Sequence, residues 1–89
     1  MIALFDSGLG GLSLLREVRA QLPAHDLAYV ADSAHCPYGP RPAELVRARA
    51  LAIGRALERA QAAALVVACN SAVAAGALEV LRADLAIPV

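Results

Sequence analysis

Three short stretches of this chain hold residues whose types and spacing could do chemistry. In the first, Cys69-Asn70-Ser71 follows the apolar run Ala63-Ala64-Leu65-Val66-Val67-Ala68 and precedes a helical pattern. A thiol there sits at the carboxyl end of a strand and against a helix N-terminus, whose partial positive charge favours thiolate over thiol. Cys69 is therefore a candidate reactive group. In the second, Asp6-Ser7 ends the run Ile2-Ala3-Leu4-Phe5 and opens into Gly8-Leu9-Gly10-Gly11. In the third, Tyr38-Gly39 lies in a stiff loop, Asp32-Ser33-Ala34-His35-Cys36-Pro37-Tyr38-Gly39-Pro40-Arg41-Pro42. Together they offer an acid, hydroxyls, an amide, a phenol, a thiol and the N–H groups of two helix starts. That set suits a small carboxylate-bearing substrate held beside a thiol base.

Each of these residues also has a plainer reading. Free Cys commonly serves as a small buried apolar side chain, which Cys69 could be. Asp6 would serve as a cap of the first helix, and Asn70 and Ser71 are both good N-cap residues. Tyr38 would pack its ring and leave its hydroxyl in water. Cys36 and His35 have no partners at ligand spacing, so no metal site is expected. The glycine turn resembles a phosphate loop only loosely. Ser13 stands where the dinucleotide fingerprint needs a glycine, and the chain lacks the lysine of a P-loop.

The elements that must position these groups follow from hydrophobic spacing. Ile2 to Phe5 reads as a strand. The next helix carries Leu14, Leu15, Val18 and Leu22 as a buried stripe, with Arg16, Glu17 and Arg19 opposite, and Pro23 stops it. Leu27 to Ala31 is a second strand. Pro42 suits the first turn of a long helix over Ala43–Ala60, with Val46, Ala50, Ile53 and Leu57 inward and Glu44, Arg47, Arg55 and Glu58 outward. After the central strand a third helix is expected from Ala72 to Arg82, and Leu85–Val89 starts a fourth strand. The order βαβαβαβ predicts an α/β fold, a parallel sheet with flanking helices and right-handed crossovers. In that topology the three stretches all leave carboxyl ends of strands and converge on one rim.

Composition narrows the partners. The chain has 89 residues, 60% of them hydrophobic but only 3% aromatic, so any core is built from small side chains. A chain this short is stable only with good packing, a partner or more chain. Eight arginines balance eight acids in a scattered pattern, so the formal net charge is zero. Neither nucleic acid nor an anionic membrane finds an electrostatic footprint here. The two free cysteines fit a reducing, cytoplasmic setting. Met1-Ile2-Ala3-Leu4-Phe5 lacks the basic segment of a signal peptide. Ala60 to Leu78 is free of charge and long enough to mimic a membrane span, but Gln61, Asn70-Ser71 and the dominance of Ala over Leu argue against one.

Taken together, Phe5-Asp6-Ser7-Gly8-Leu9-Gly10-Gly11, Asp32-Ser33-Ala34-His35-Cys36-Pro37-Tyr38-Gly39 and Ala68-Cys69-Asn70-Ser71-Ala72 resemble the glutamate racemases in order and spacing. These form a cofactor-independent branch of the aspartate/glutamate racemase superfamily. The resemblance implies proton transfer between L- and D-glutamate by two cysteines facing the α-carbon from opposite sides, supplying D-glutamate for peptidoglycan. Cys69 would be the first of the pair, with Asp6 assisting it. Asp6, Ser7, Tyr38, Gly39, Asn70 and Ser71 would line the glutamate site, with Ser71 where threonine is usual. No metal or other cofactor is implied, and the full-length family suggests a homodimer.

On this resemblance, residues 1–89 form the N-terminal part of the first lobe of a two-lobed fold. The second cysteine, in a Cys-Thr-His segment, lies on a lobe not contained in them. Cys36 has no catalytic counterpart. The chain alone is then expected to be inactive and to leave a sheet edge unpaired. Two alternatives stay open: a non-catalytic binding module keeping half a site, and a racemase for aspartate or another amino acid.

Overall fold

The computed structural model describes residues 1–89. Three parallel strands form one sheet: β1 (Ile2–Asp6), β2 (Leu27–Ala31) and β3 (Ala64–Val67), in the order β2-β1-β3. Ile2 to Asp6 pair with Leu27 to Ala31 on one side, and Ile2 to Phe5 with Ala64 to Val67 on the other. Strand β1 is central because it is apolar on both faces, and Ala3, Leu4 and Phe5 are fully buried.

Four α-helices connect and cover the strands: α1 (Leu12–Gln21), α2 (Ala43–Arg59), α3 (Asn70–Ala74) and α4 (Ala77–Asp84). A single 3-10 turn over Ser33–His35 follows β2. Because side chains alternate along a strand, Ala3, Phe5, Ala28, Val30, Leu65 and Val67 share one face. There they meet Val46, Ala50 and Leu57 of α2 and Leu81 of α4 in a single core. Gly54 permits a close approach of these two helices. A Cβ on it would lie 2.6 Å from Leu81 Cδ2 and 3.1 Å from Leu85 Cδ1.

The structure corrects four expectations. The single helix over Ala72–Arg82 is two, broken at Gly76, which adopts φ +94°. That left-handed conformation suits glycine. The break leaves the Ala75 carbonyl free to accept from Arg47 Nη1 at 2.9 Å, so Arg47 is half-buried rather than outward. The stripe on α1 is not buried, since no residue of that helix is. Finally, Leu85–Val89 forms no strand, so the order is not βαβαβαβ. A lone bond from Leu65 N–H to the Pro88 carbonyl (2.9 Å) ties it to the β3 edge. One hydrogen bond does not make a ladder, and β3 remains an edge strand. No helix is long and apolar enough to cross a membrane.

Candidate active site

The carboxyl ends of β1 and β3 open into a cleft of about 320 Å³. Asp6, Ser7, Asn70, Ser71 and Cys69 line it, together with Gly8 and Cys36. Five of the seven sequence-predicted site residues thus meet in one place. Tyr38 and Gly39 line an adjoining cleft of about 270 Å³, and Ser71 borders both.

Cys69 is buried, and its place follows from the turn that ends β3. The caps expected at Asn70 and Ser71 are supplied by Cys69 itself. Its sulfur accepts the Ala72 N–H at 3.4 Å and its carbonyl accepts the Val73 N–H at 3.1 Å, so Asn70 and Ser71 become the first helical residues and stay exposed. The sulfur lies 3.6 Å from Ser7 Oγ of the neighbouring turn. A backbone N–H and a hydroxyl oxygen therefore both face this sulfur.

Asp6 is 6% exposed and its carboxylate is fully engaged. Oδ1 accepts the Ser7 N–H and Oδ2 the Gly11 N–H, each at 2.7 Å. Asp6 is not the cap of α1 that the plainer reading expects: Gly11 is the N-cap, with no side-chain cap bond, and Asp6 holds that residue's N–H from the end of β1 while still lining the cleft. Gly11 is held tightly here. A Cβ on it would lie 2.9 Å from both Ala68 Cβ and Tyr29 Oη.

Two groups escaped sequence reasoning. Tyr29 projects from β2 on the same face as Asp6, and its hydroxyl lies 2.7 Å from the Gly8 carbonyl and 3.2 Å from Asp6 Oδ2. Burial, then the Asp6 charge, raises its phenol pKa. On the opposite face Asp32, also 6% exposed, accepts from Arg49 Nε at 2.9 Å and Nη2 at 3.1 Å. It accepts as well from the Tyr38 hydroxyl at 2.6 Å and faces His35 Nδ1 at 3.2 Å. The Arg49 hydrogen bonds lead in holding the Asp32 carboxyl down to about 2. Burial, then the Asp32 contact, pushes the Tyr38 phenol well above its ordinary value. Alternation could have signalled this pair. Asp32 falls two residues after Val30 on the core face, where a carboxylate requires a cation, and Arg49 adjoins the inward Ala50. No group of three or more His, Cys, Asp or Glu side chains is placed to hold a metal ion.

No family model matches the chain. The glutamate racemase of Methylococcus capsulatus is 58% identical over 88 residues, covering 99% of this chain and 32% of that protein. Over its whole length the chain is homologous to glutamate racemases. Solved glutamate racemases agree in fold. The structure from Bacillus anthracis superposes with a TM-score of 0.92 at 43% identity, covering 100% of this chain and 33% of that one. The Escherichia coli glutamate racemase, solved with L-glutamate and the activator UDP-MurNAc-ala, gives a TM-score of 0.92 at 38% identity, covering 99% of this chain and 34% of that one. The chain thus spans about a third of the length of the racemases it matches.

Proposed function

We propose that this chain supplies one half of the site of a cofactor-independent glutamate racemase, with Cys69 as one of two proton-transferring thiols. The observation that carries the reading is the setting of Cys69, whose sulfur receives the Ala72 N–H and faces Ser7 Oγ inside the cleft beside Asp6. An α-proton of an amino acid is very weakly acidic, so its removal needs both a poised base and stabilisation of the charge left behind. In this reading the Cys69 thiolate takes the proton from one face of the α-carbon and becomes a thiol. A second thiol, outside these 89 residues, delivers its own proton to the opposite face and is left as thiolate.

The exposed N–H groups and side chains of Asn70 and Ser71, with Ser7, hold the substrate carboxylate. Tyr38 and Gly39 close the far side of the pocket, and Asp6 orients the Cys69 turn. Ser71 borders both clefts, which supports treating them as one substrate region. With this reading go a cytoplasmic, homodimeric whole protein and a product consumed in peptidoglycan synthesis.

The test is racemisation of L-glutamate by the natural full-length protein. Cys69→Ser should lower kcat by about 10²–10⁴-fold or more, the range for loss of a general base, while Cys36→Ser keeps the activity. The 89-residue chain alone should turn nothing over. If Cys69→Ser racemises glutamate normally, the reading fails. If the full-length protein binds glutamate without inverting it, a binding module is the better description.

A further inference from the structure

Asp32 is buried beside Tyr38, yet nothing in the proton transfer uses it. Its carboxylate ties three parts of the chain together: the end of β2, through its own backbone; α2, through Arg49; and the 33–42 loop, through Tyr38 and His35. Its backbone N–H also donates to the Asp6 carbonyl at 3.0 Å, which locks the ends of β1 and β2 together. Tyr38 is 2% exposed, with its ring centroid 6.1 Å from that of Phe5. The neighbouring Gly39 faces the turn after β3 across the second cleft, where a Cβ on it would sit at an ordinary contact distance of 3.8 Å from Ser71 Oγ. Tyr38 thus shares the buried core with Cys69 and Ala72, and the polar contact that fixes its hydroxyl ends on Asp32.

We infer that Arg49 is a positioning residue for the glutamate site, acting through Asp32 on Tyr38. Its Nε and Nη2 take both carboxylate oxygens, which fixes the rotation of the carboxylate as well as neutralising it. A fixed carboxylate directs Oδ2 at the Tyr38 hydroxyl, and the hydroxyl in turn fixes the Tyr38–Gly39 arm that faces Ser71. A lysine at position 49 supplies the charge as a point without the planar fork, so charge and orientation are separable by substitution. The inference rests on the proposed function for its effect on substrate, but its effect on the arm is independent of it.

The experiment uses the natural full-length protein with Arg49→Gln, Arg49→Lys, Tyr38→Phe and the double variant Arg49→Gln/Tyr38→Phe. Arg49→Gln should raise KM for L-glutamate about tenfold or more, the scale on which small misplacements act, with a much smaller change in kcat. Arg49→Lys should recover most of the thermal midpoint but not the KM. The double variant should be no worse in KM than the worse single one, because both substitutions break the same chain of contacts. Amide exchange should quicken by about tenfold or more at residues 38–41 in Arg49→Gln and stay unchanged in β1.

A KM within about twofold of the parent at a lowered melting midpoint would leave Arg49 merely structural. Additive KM effects, or exchange that quickens evenly across the lobe, would also overturn the inference. If the parent protein does not racemise glutamate, the proposed function is what fails, and the exchange measurement still decides the positioning role.

Discussion

Leu4 and Phe5 are neighbours on β1 and both fully buried, yet they belong to different kinds of packing. Phe5 enters the core shared by α2 and α4, where Leu81, Val46 and Ala50 are also inaccessible. Leu4 points to the α1 face, where no helical residue is buried and Leu12, Leu14 and Leu22 remain 38–43% exposed. One face is a closed hydrophobic layer and the other is half-covered. The two buried carboxylates divide in the same way. Asp32 sits on the closed face and is held by a guanidinium and a phenol. Asp6 sits on the half-covered face and is held mainly by backbone N–H groups, and it is the one that lines the cleft. The difference teaches that the site draws on both sides of one sheet: the half-covered face brings Asp6 to the cleft, and the closed core holds Cys69 and Tyr38.

That contrast can be broken most directly at Leu81. Leu81→Ala removes a fully buried side chain from the closed layer and should cost about 2–5 kcal/mol in urea unfolding. A loss below about 1 kcal/mol would mean the layer is not close-packed. Acid should act next. The Asp32 carboxyl lies near 2 in the folded chain and at about 3.8 unfolded, so its ion pair stabilises the fold above the higher value. As pH falls from about 4 to 2 this contribution is lost, on the order of 1–2 kcal/mol allowing for solvent at the one-third-exposed Arg49. Asp32→Asn should remove that step from the pH–stability curve, and an unchanged step would assign it to another group.

Gly54→Ala should cost about 1 kcal/mol net by chemical denaturation. Overpacking against Leu81 and Leu85, on the order of 1–3 kcal/mol, opposes a gain of about 1 kcal/mol in helix propensity and should exceed it. Smallest is Leu14→Gln on the half-covered face, expected within about 0.5 kcal/mol of the parent. A large loss there in the full-length protein but not in the 89-residue chain would show that further chain covers this face.

Much of the architecture was legible because local patterns agreed with the final packing. Leu27–Ala31 is a strand over the bounds its apolar run suggests, and α2 ends one residue before its expected limit at Ala60. The convergence of Asp6, Ser7, Cys69, Asn70 and Ser71 was also legible, because a parallel sheet places all its strand ends on one rim. The α1 stripe misled because periodicity states which face is apolar and not whether anything covers it. Leu85-Ala86-Ile87-Pro88-Val89 misled similarly, since an apolar run reports strand-like composition and pairing needs a partner in register.

Chain order and alternation by themselves determined that β1 is strand-like, that the polar turns share a rim, and that a thiol stands at the end of β3. Those follow from spacings of a few residues, within reach of one turn or one pleat. Only the tertiary structure decided that Arg49 answers Asp32, that Tyr29 reaches Gly8 and Asp6, and that Arg47 satisfies the carbonyl freed at Gly76. Each of these joins groups 17 or more residues apart. A buried charge or a free carbonyl requires a partner, but which partner reaches it depends on how the helices dock on the sheet.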